Sequence, residues 1–242
     1  MTIKTALITG TSRAAGLGYA VARQLAELGF HVVLTARDVG RAESLAEQLR
    51  QDGYAATALW LDLTERSSMR EAVDHLVRTF GHLDVLINNA STMPDFRVLS
   101  ALDADLDDVR SAMQVDVLGP WELVQALRPL LDAAPAARIV NVSSLTAMQI
   151  ATGLDLGANL RAPAHSIGKY MLNALNTMLA RAFEGTPVLV NAVDPGETAT
   201  HPERADERDR PAAESARGVV WAATLDSDGP TGGLFRDGKP LL

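Results

Sequence analysis

Short runs of aliphatic residues alternate with longer segments of helical period, and this alternation limits the possible folds more than any other feature of the chain. The runs cover residues 6–9, 32–36, 58–61, 85–87, 138–142 and 188–193. Runs that are apolar throughout are typical of strands buried on both faces of a parallel sheet. Because strand–helix alternation produces right-handed crossovers, the pattern predicts an α/β fold with one doubly wound parallel sheet of about seven strands.

Apolar residues at helical spacing predict the helices on the two faces of this sheet. They form four stripes: Val21, Leu25 and Leu28; Met69, Val73, Leu76 and Phe80; Leu102, Leu106, Val109 and Met113; Met171, Leu175, Met178 and Ala182. No repeat or linker divides the chain, so residues 1–242 are predicted to form a single domain.

The composition excludes several classes of function. A formal net charge of −8 argues against nucleic acid or an anionic membrane as a partner. The chain has no cysteine, which excludes disulfides and thiolate catalysis, and its five histidines form no close-spaced pair, so no metal site is predicted. With no leader pattern and no apolar run that would span a bilayer, we expect a cytoplasmic protein.

A glycine-rich turn follows the first predicted strand and leads into the first predicted helix. Glycines let the backbone approach a pyrophosphate, and a helix N-terminus offers free N–H groups to an anion. The residues predicted to bind a dinucleotide here are Gly10, Ser12, Arg13, Gly16, Leu17 and Gly18.

The residue after the second strand favours NADP(H) over NAD. A carboxylate at this position would bind ribose hydroxyls and repel a 2′-phosphate, whereas this chain has Arg37 there and Arg13 in the turn. Two guanidinium groups suit a 2′-phosphate. Asp38 is the counterargument, since it either pairs with Arg37 or caps the next helix.

Further motifs in the same order resemble the short-chain dehydrogenase/reductase family, nearest to its carbonyl-reductase-like bacterial members. They are Thr9-Gly10 with Gly16-Leu17-Gly18, Asp62, Asn88-Asn89-Ala90, Asn141-Val142-Ser143-Ser144, Lys169, Asn191-Ala192-Val193-Asp194-Pro195-Gly196 and the tail at 228–238. The resemblance implies adenine contacts from Asp62 and Leu63, and a cofactor channel lined by Asn88 and Ala90. It also implies that Lys169, Pro195, Gly196, Thr198 and Thr200 hold the nicotinamide end.

Four positions depart from the family pattern. Five residues separate Gly10 from Gly16 where the family has three, and Ser91 replaces a glycine. The family's catalytic tyrosine stands one helical turn before its lysine, a position that is His165 here, and its active-site asparagine corresponds to Asp116. Ser144 and Lys169 match the family pattern, so the predicted catalytic set is Ser144, His165, Lys169 and Asp116.

Replacing tyrosine by histidine changes the expected acid–base chemistry. His165 and Lys169 are four residues apart, so on a helix they project from one face. A nearby lysine cation makes a phenolate easier to form but an imidazolium harder to form. Neutral His165 would be a poorer acid than tyrosine for protonating a substrate alkoxide at neutral pH. If Asp116 pairs with Lys169, it would weaken the lysine's repulsion of an imidazolium and so offset part of this effect.

Three functions remain open at this point. The first is an NADP(H)-dependent oxidoreductase that interconverts a ketone and an alcohol on a small molecule. The second is a redox-silent dehydratase, isomerase, cyclase or epimerase that uses His165 and Asp116 for proton transfer, and the third is a non-catalytic binding protein. Loops at 91–97, 145–163 and 197–210 are expected to wall the substrate pocket, and residues 201–210 are read as a solvated loop in preference to a mobile lid. The resemblance implies a homodimer or homotetramer, although carbonyl-reductase-like members can also be monomeric.

Overall fold

An eight-stranded sheet runs through the residues that the computed structural model describes, which are 3–151, 161–200 and 209–241. The strands are β1 Thr5–Ile8, β2 His31–Ala36, β3 Ala56–Trp60, β4 Val85–Asn88, β5 Arg138–Val142, β6 Leu189–Val193, β7 Leu234–Arg236 and β8 Lys239–Pro240. Their order is β3-β2-β1-β4-β5-β6-β7-β8, and every neighbouring pair is parallel except β7 with β8. The predicted doubly wound α/β fold is confirmed.

Helices cover both faces of the sheet. They are α1 Leu17–Glu27, α2 Val39–Gln51, α3 Arg66–Thr79, α4 Leu106–Met113, α5 Gly119–Ala133, α6 Leu145–Ala151, α7 Pro163–Ala182 and α8 Ala212–Ala223. A π-helical turn, Gln114–Leu118, joins α4 directly to α5. No helix in the described ranges is long and apolar enough to cross a membrane.

Alternate residues of the central strands enter two separate apolar cores, which explains why their apolar runs are not interrupted by exposed polar positions. Ala6 and Ile8 belong to the core under α1, α2 and α8, whereas Leu7 between them belongs to the core under α3, α5 and α7. The strand order reverses between β1 and β4. The carboxyl ends of these two strands therefore open into the crevice where such sheets bind ligands.

The stripe on α3 is confirmed, whereas the other three contain exposed residues. In the first, Leu28 lies just after α1 and is 60% exposed. Leu102 precedes α4 and is 96% exposed, and Leu106 is also exposed. The buried residue of α4 is the small Ala112. The large apolar residues on which the prediction was based therefore do not mark the buried face of this helix. On α7 the large buried apolar residues are Leu172, Leu175 and Leu179, while Met171 and Met178 are exposed. That face also carries polar side chains, which interrupt the apolar period.

The ends of the elements differ from the sequence-based prediction in three places. Strand boundaries move by up to two residues, and the short strands β7 and β8 were not located. The segment predicted as a loop at 145–163 begins with the helix α6, which is a correction. The parts of the predicted pocket walls at 152–160 and 201–208 lie outside the described residues.

Candidate functional site

The glycine-rich turn lies against the residues that follow β4. Gly10 has φ +71°, and a Cβ built on it would lie 2.6 Å from the Cα of Ala90. A Cβ on Gly18 would lie 2.7 Å from Asn89 Nδ2. Gly16 occupies the cap position of α1 and has no side chain to cap the helix. The first backbone N–H groups of α1 therefore face the turn without a capping acceptor from this position. These observations fit a bound pyrophosphate.

Arg37 stands at the end of β2 with its side chain exposed. Asp38 is the helix cap, because its Oδ1 accepts a hydrogen bond from Gly40 N at 3.1 Å, and it pairs with Arg41 at 3.3 Å. Of the two possibilities for Asp38, the structure shows the cap. Arg13 is exposed in the turn, and Ser12 beside it is half-buried. The charge at this edge therefore suits an anionic group on the adenosine ribose.

Three residues assigned to the cofactor through the resemblance have side chains with protein partners. Asp62 Oδ1 accepts hydrogen bonds from Thr64 N at 2.9 Å and Thr64 Oγ1 at 2.7 Å. The side chain of Leu63 is packed in the core, so only its backbone can contact adenine. Asn88 is buried and its Nδ2 donates to Asn141 Oδ1 at 2.8 Å, while Ala90 is half-exposed. The cofactor contacts that the resemblance assigns to Asp62, Leu63, Asn88 and Ala90 stay predictions.

A chain of buried amides links β4, β5 and α7, which sequence reasoning missed. Asn141 Nδ2 donates to Asn176 Oδ1 at 3.0 Å, and Asn176 Nδ2 donates to Gly233 O at 3.4 Å. With the Asn88 bond, these side chains connect three neighbouring elements. Asparagines within apolar strands were the available signal, since a buried amide needs a partner.

The turn after β6 is fixed by several polar contacts. Asp194 Oδ1 accepts from Gly196 N at 2.9 Å, and Gly196 has φ +75°. Thr198 Oγ1 donates to Gly196 O at 3.0 Å and bonds Ser215 Oγ at 2.9 Å. Pro195 and Thr200 are half-buried beside it. Of the residues assigned to the nicotinamide end, Pro195, Gly196, Thr198 and Thr200 therefore belong to one hydrogen-bonded segment after β6, whereas Lys169 comes from α7.

His165 and Lys169 lie on the buried face of α7, one turn apart. Lys169 is 2% exposed, and its Nζ lies 2.9 Å from Asp116 Oδ1 and donates to Val142 O at 2.8 Å. Asp116 is fully buried in the π-helical turn. The sequence left this pairing as one possibility, and the structure shows both side chains withdrawn from solvent.

A backbone carbonyl determines which ring nitrogen of His165 carries a proton. Nδ1 lies 3.1 Å from Thr92 O, and a carbonyl only accepts hydrogen bonds, so Nδ1 is the donor. In the neutral ring, Nε2 then keeps its lone pair. Burial, followed by the nearby Lys169 cation, lowers the pKa of His165; Asp116, the Thr92 carbonyl and Asp95 oppose this. His165 is therefore a neutral base at neutral pH.

Ser144 follows β5 and is half-buried. Its Oγ accepts hydrogen bonds from Thr146 Oγ1 at 3.2 Å and from Thr146 N at 3.4 Å. Because these bonds use the oxygen as an acceptor, the hydroxyl hydrogen stays available to a substrate oxygen.

A cavity of about 300 Å³ is lined by residues 93–98, the segment that contacts the start of α7 through Asp95 and Val98. Met93 and Phe96 on this segment are partly exposed, as is Leu145 at the start of α6. The cavity agrees with the predicted pocket wall at 91–97. Within the described ranges, no group of three His, Cys, Asp or Glu side chains is placed to hold a metal ion.

Residues 4–211 match the family model described as short chain dehydrogenase. The chain belongs to the short chain dehydrogenase family. It is 31% identical over 197 residues to the oxidoreductase UcpA of Salmonella typhimurium, which covers 81% of this chain and 70% of that protein.

Solved structures of other oxidoreductases superimpose over nearly the whole chain. A gluconate 5-dehydrogenase from Burkholderia cenocepacia J2315, in complex with NADP and tartrate, has a TM-score of 0.83 and 25% identity, covering 98% of this chain and 94% of that one. A metagenomic short-chain oxidoreductase in complex with NADP has a TM-score of 0.77 and 27% identity, covering 100% and 99%.

Proposed function

We propose that this short chain dehydrogenase is an NADP(H)-dependent oxidoreductase that interconverts a ketone and an alcohol on a small molecule. The observation that carries the proposal is the face of α7, where His165 and the Lys169–Asp116 pair lie together. The catalytic set we assign is Ser144, His165, Lys169 and Asp116. Location in the cytoplasm and assembly as a homodimer or homotetramer stay predictions.

NADP(H) fits the residues that line the crevice. Gly10 and Gly18 leave no room for a side chain, and the start of α1 offers N–H groups to a pyrophosphate. Arg37 is exposed at the position that faces an adenosine 2′-phosphate in such folds. The NADP complexes among the structural relatives agree with this choice. When bound, the cofactor supplies or accepts the hydride.

The protein's own groups handle the proton and the substrate oxygen. In alcohol oxidation, Ser144 Oγ donates a hydrogen bond to the substrate oxygen, and His165 Nε2 accepts the hydroxyl proton as that oxygen becomes a carbonyl. The Nδ1–H bond to Thr92 O holds the ring in the required tautomer. Lys169 and Asp116 together place a dipole beside the ring without a net charge.

The lowered pKa of His165 favours one direction at neutral pH. A neutral imidazole is ready to accept a proton but has none to give from Nε2, so alcohol oxidation needs no prior protonation. Ketone reduction needs the imidazolium, whose population grows as the pH falls. We therefore infer that the rate of reduction rises toward acidic pH while the rate of oxidation falls.

The test is a spectrophotometric assay of NADPH formation with a panel of secondary alcohols, in wild type and in His165→Ala. His75→Ala on α3 is the matched control, since it removes an imidazole from outside this site. We expect the rate to fall by about a hundredfold or more in His165→Ala and to persist in the control. No absorbance change in any reaction, with cofactor binding demonstrated by calorimetry, would overturn the proposal. Product formation without cofactor consumption would instead support the redox-silent alternative.

A further inference from the structure

The helix that carries His165 and Lys169 begins without a cap of its own. Ala162 occupies the cap position and has only a methyl group, and Pro163 has no N–H, so Ala164 provides the first free donor. Asp95 supplies the missing acceptor from a segment 69 positions earlier, and its Oδ2 lies 2.5 Å from Ala164 N. The start of α7 is therefore capped by a distant part of the chain.

Two more bonds join the same segment, residues 92–98, to the same end of α7. Ala162 N donates to Val98 O at 2.8 Å, while Ala162 itself has φ +55°. His165 Nδ1 donates to Thr92 O at 3.1 Å. Since residues 93–98 also line the cavity, the pocket wall and the orientation of His165 depend on one set of contacts.

Asp95 also places a carboxylate near the ring. Its side chain is 2% exposed, and its Oδ1 has no hydrogen-bond partner. An anion at a helix N-terminus interacts favourably with the helix dipole. The charged groups that act on His165 are Lys169 on its own helix, Asp116 on the π-helical turn and Asp95 on segment 92–98. Asp95 and Asp116 both oppose the effect of the lysine.

We propose that Asp95 is a positioning residue, which holds His165 on Thr92 O by capping α7 and places a carboxylate against Ala164, the residue next to His165 in the chain. Its effect on His165 itself does not depend on the function proposed above, whereas its effect on turnover does. Asp95 is therefore testable by spectroscopy even in a protein with no measured activity.

Two substitutions separate the two roles of Asp95. Asp95→Asn keeps an oxygen for Ala164 N and removes the charge, whereas Asp95→Ala removes both. Asp105 provides matched controls, because it also caps a helix: its Oδ1 accepts a hydrogen bond from Asp107 N at 2.8 Å at the start of α4. Unlike the Asp95 cap, this hydrogen bond is exposed to solvent. The Asp105→Asn and Asp105→Ala variants thus alter a helix cap elsewhere.

Nitrogen-detected NMR of the labelled His165 ring reports both the tautomer and the titration. We expect Asp95→Asn to keep the Nδ1–H tautomer and to titrate at a lower pH than wild type, because an opposing anion is gone. We expect Asp95→Ala to show a mixture of tautomers, because the bond to Thr92 O is released. The proposal would be overturned if His165 titrates at the same pH in Asp95→Asn as in Asp105→Asn. It would also be overturned if the His165 ring in Asp95→Ala is entirely the Nδ1–H tautomer.

Turnover gives a second readout. Asp95→Ala should lower kcat for alcohol oxidation by about tenfold to a hundredfold, because displacement of a catalytic group costs that much. Asp95→Asn should shift the acidic limb of the pH–rate profile downward and keep kcat at high pH, and the Asp105 variants should change neither. If the NMR changes occur in a protein that oxidises no alcohol, Asp95 holds His165 as proposed and the proposed function is wrong. If Asp95→Ala does not fold, Asp95→Asn still decides the charge effect.

Discussion

Replacing Asp116 by asparagine should destabilise the fold far more than its change in volume suggests. The carboxylate and the Lys169 ammonium lie 2.9 Å apart, with 0% and 3% of their side chains exposed. Removing one partner of a buried ion pair costs about 3–5 kcal/mol, since the other charge stays buried without compensation. Asparagine still accepts a hydrogen bond from Thr92 N, now 3.3 Å from Asp116 Oδ2, so we expect the lower end, about 3 kcal/mol.

Urea denaturation followed by circular dichroism measures this loss, and Asp107→Asn is the matched control. Asp107 pairs with Arg110 at 2.6 Å, but these side chains are 85% and 73% exposed. We expect a loss below about 0.5 kcal/mol there, because solvent screens exposed pairs. A double-mutant cycle with Lys169→Met should show a coupling of about 2 kcal/mol or more. If Asp116→Asn lowers the free energy of unfolding by less than about 1 kcal/mol, and the two substitutions are additive in the double-mutant cycle, Asp116 and Lys169 do not form a desolvated ion pair.

Three further perturbations test other parts of the structure. Burial lowers the pKa of both His165 and His31, so the unfolded state binds more protons and the free energy of unfolding falls as pH drops below about 6.5. His165→Gln should weaken this dependence in denaturation measured across pH, and an unchanged slope would contradict a buried neutral ring. Arg37→Ser should raise the Kd of NADPH in calorimetry by about tenfold to a hundredfold and leave that of NADH within about twofold; equal losses would speak against a 2′-phosphate contact. Gly10→Ala should lower the melting midpoint by more than Gly53→Ala, since both have positive φ but only Gly10 lacks space for a Cβ, and equal costs would rule out the close approach to the β4 end.

The strands were predictable because burial on both faces leaves a continuous apolar run. Leu7 and Ile8 are adjacent and enter different cores, so both are apolar, and polar strand residues such as Asn141 are buried as well. Strand β8 has only two residues, which is too short for any period to appear. The stripe through Leu102 failed because α4 packs through the small Ala112 against α7.

Spacing along one helix predicted part of the site, and contacts between distant segments completed it. His165 and Lys169 share a face of α7 because they are one helical turn apart, and this spacing can be read from the sequence alone. Thr92 acts on His165 through its backbone carbonyl, which no side-chain pattern reveals. Asp95 caps α7 from 69 positions away, and a lone aspartate after a proline has many other uses. Such contacts depend on how the loops fold onto the sheet.

The π-helical turn at Gln114–Leu118 lets the continuous helix formed by α4 and α5 pack on two different neighbours. Before the turn α4 packs on α7, and after it α5 packs on α3. A π-helical turn contains one more residue than the α-helical path it replaces, so it rotates everything beyond it by about 100° relative to an uninterrupted helix. Deleting one residue there would change which face of α5 meets α3 while α4 keeps its face toward α7. The number of residues between the two helices, as much as their identity, thus sets which side chains enter the interior.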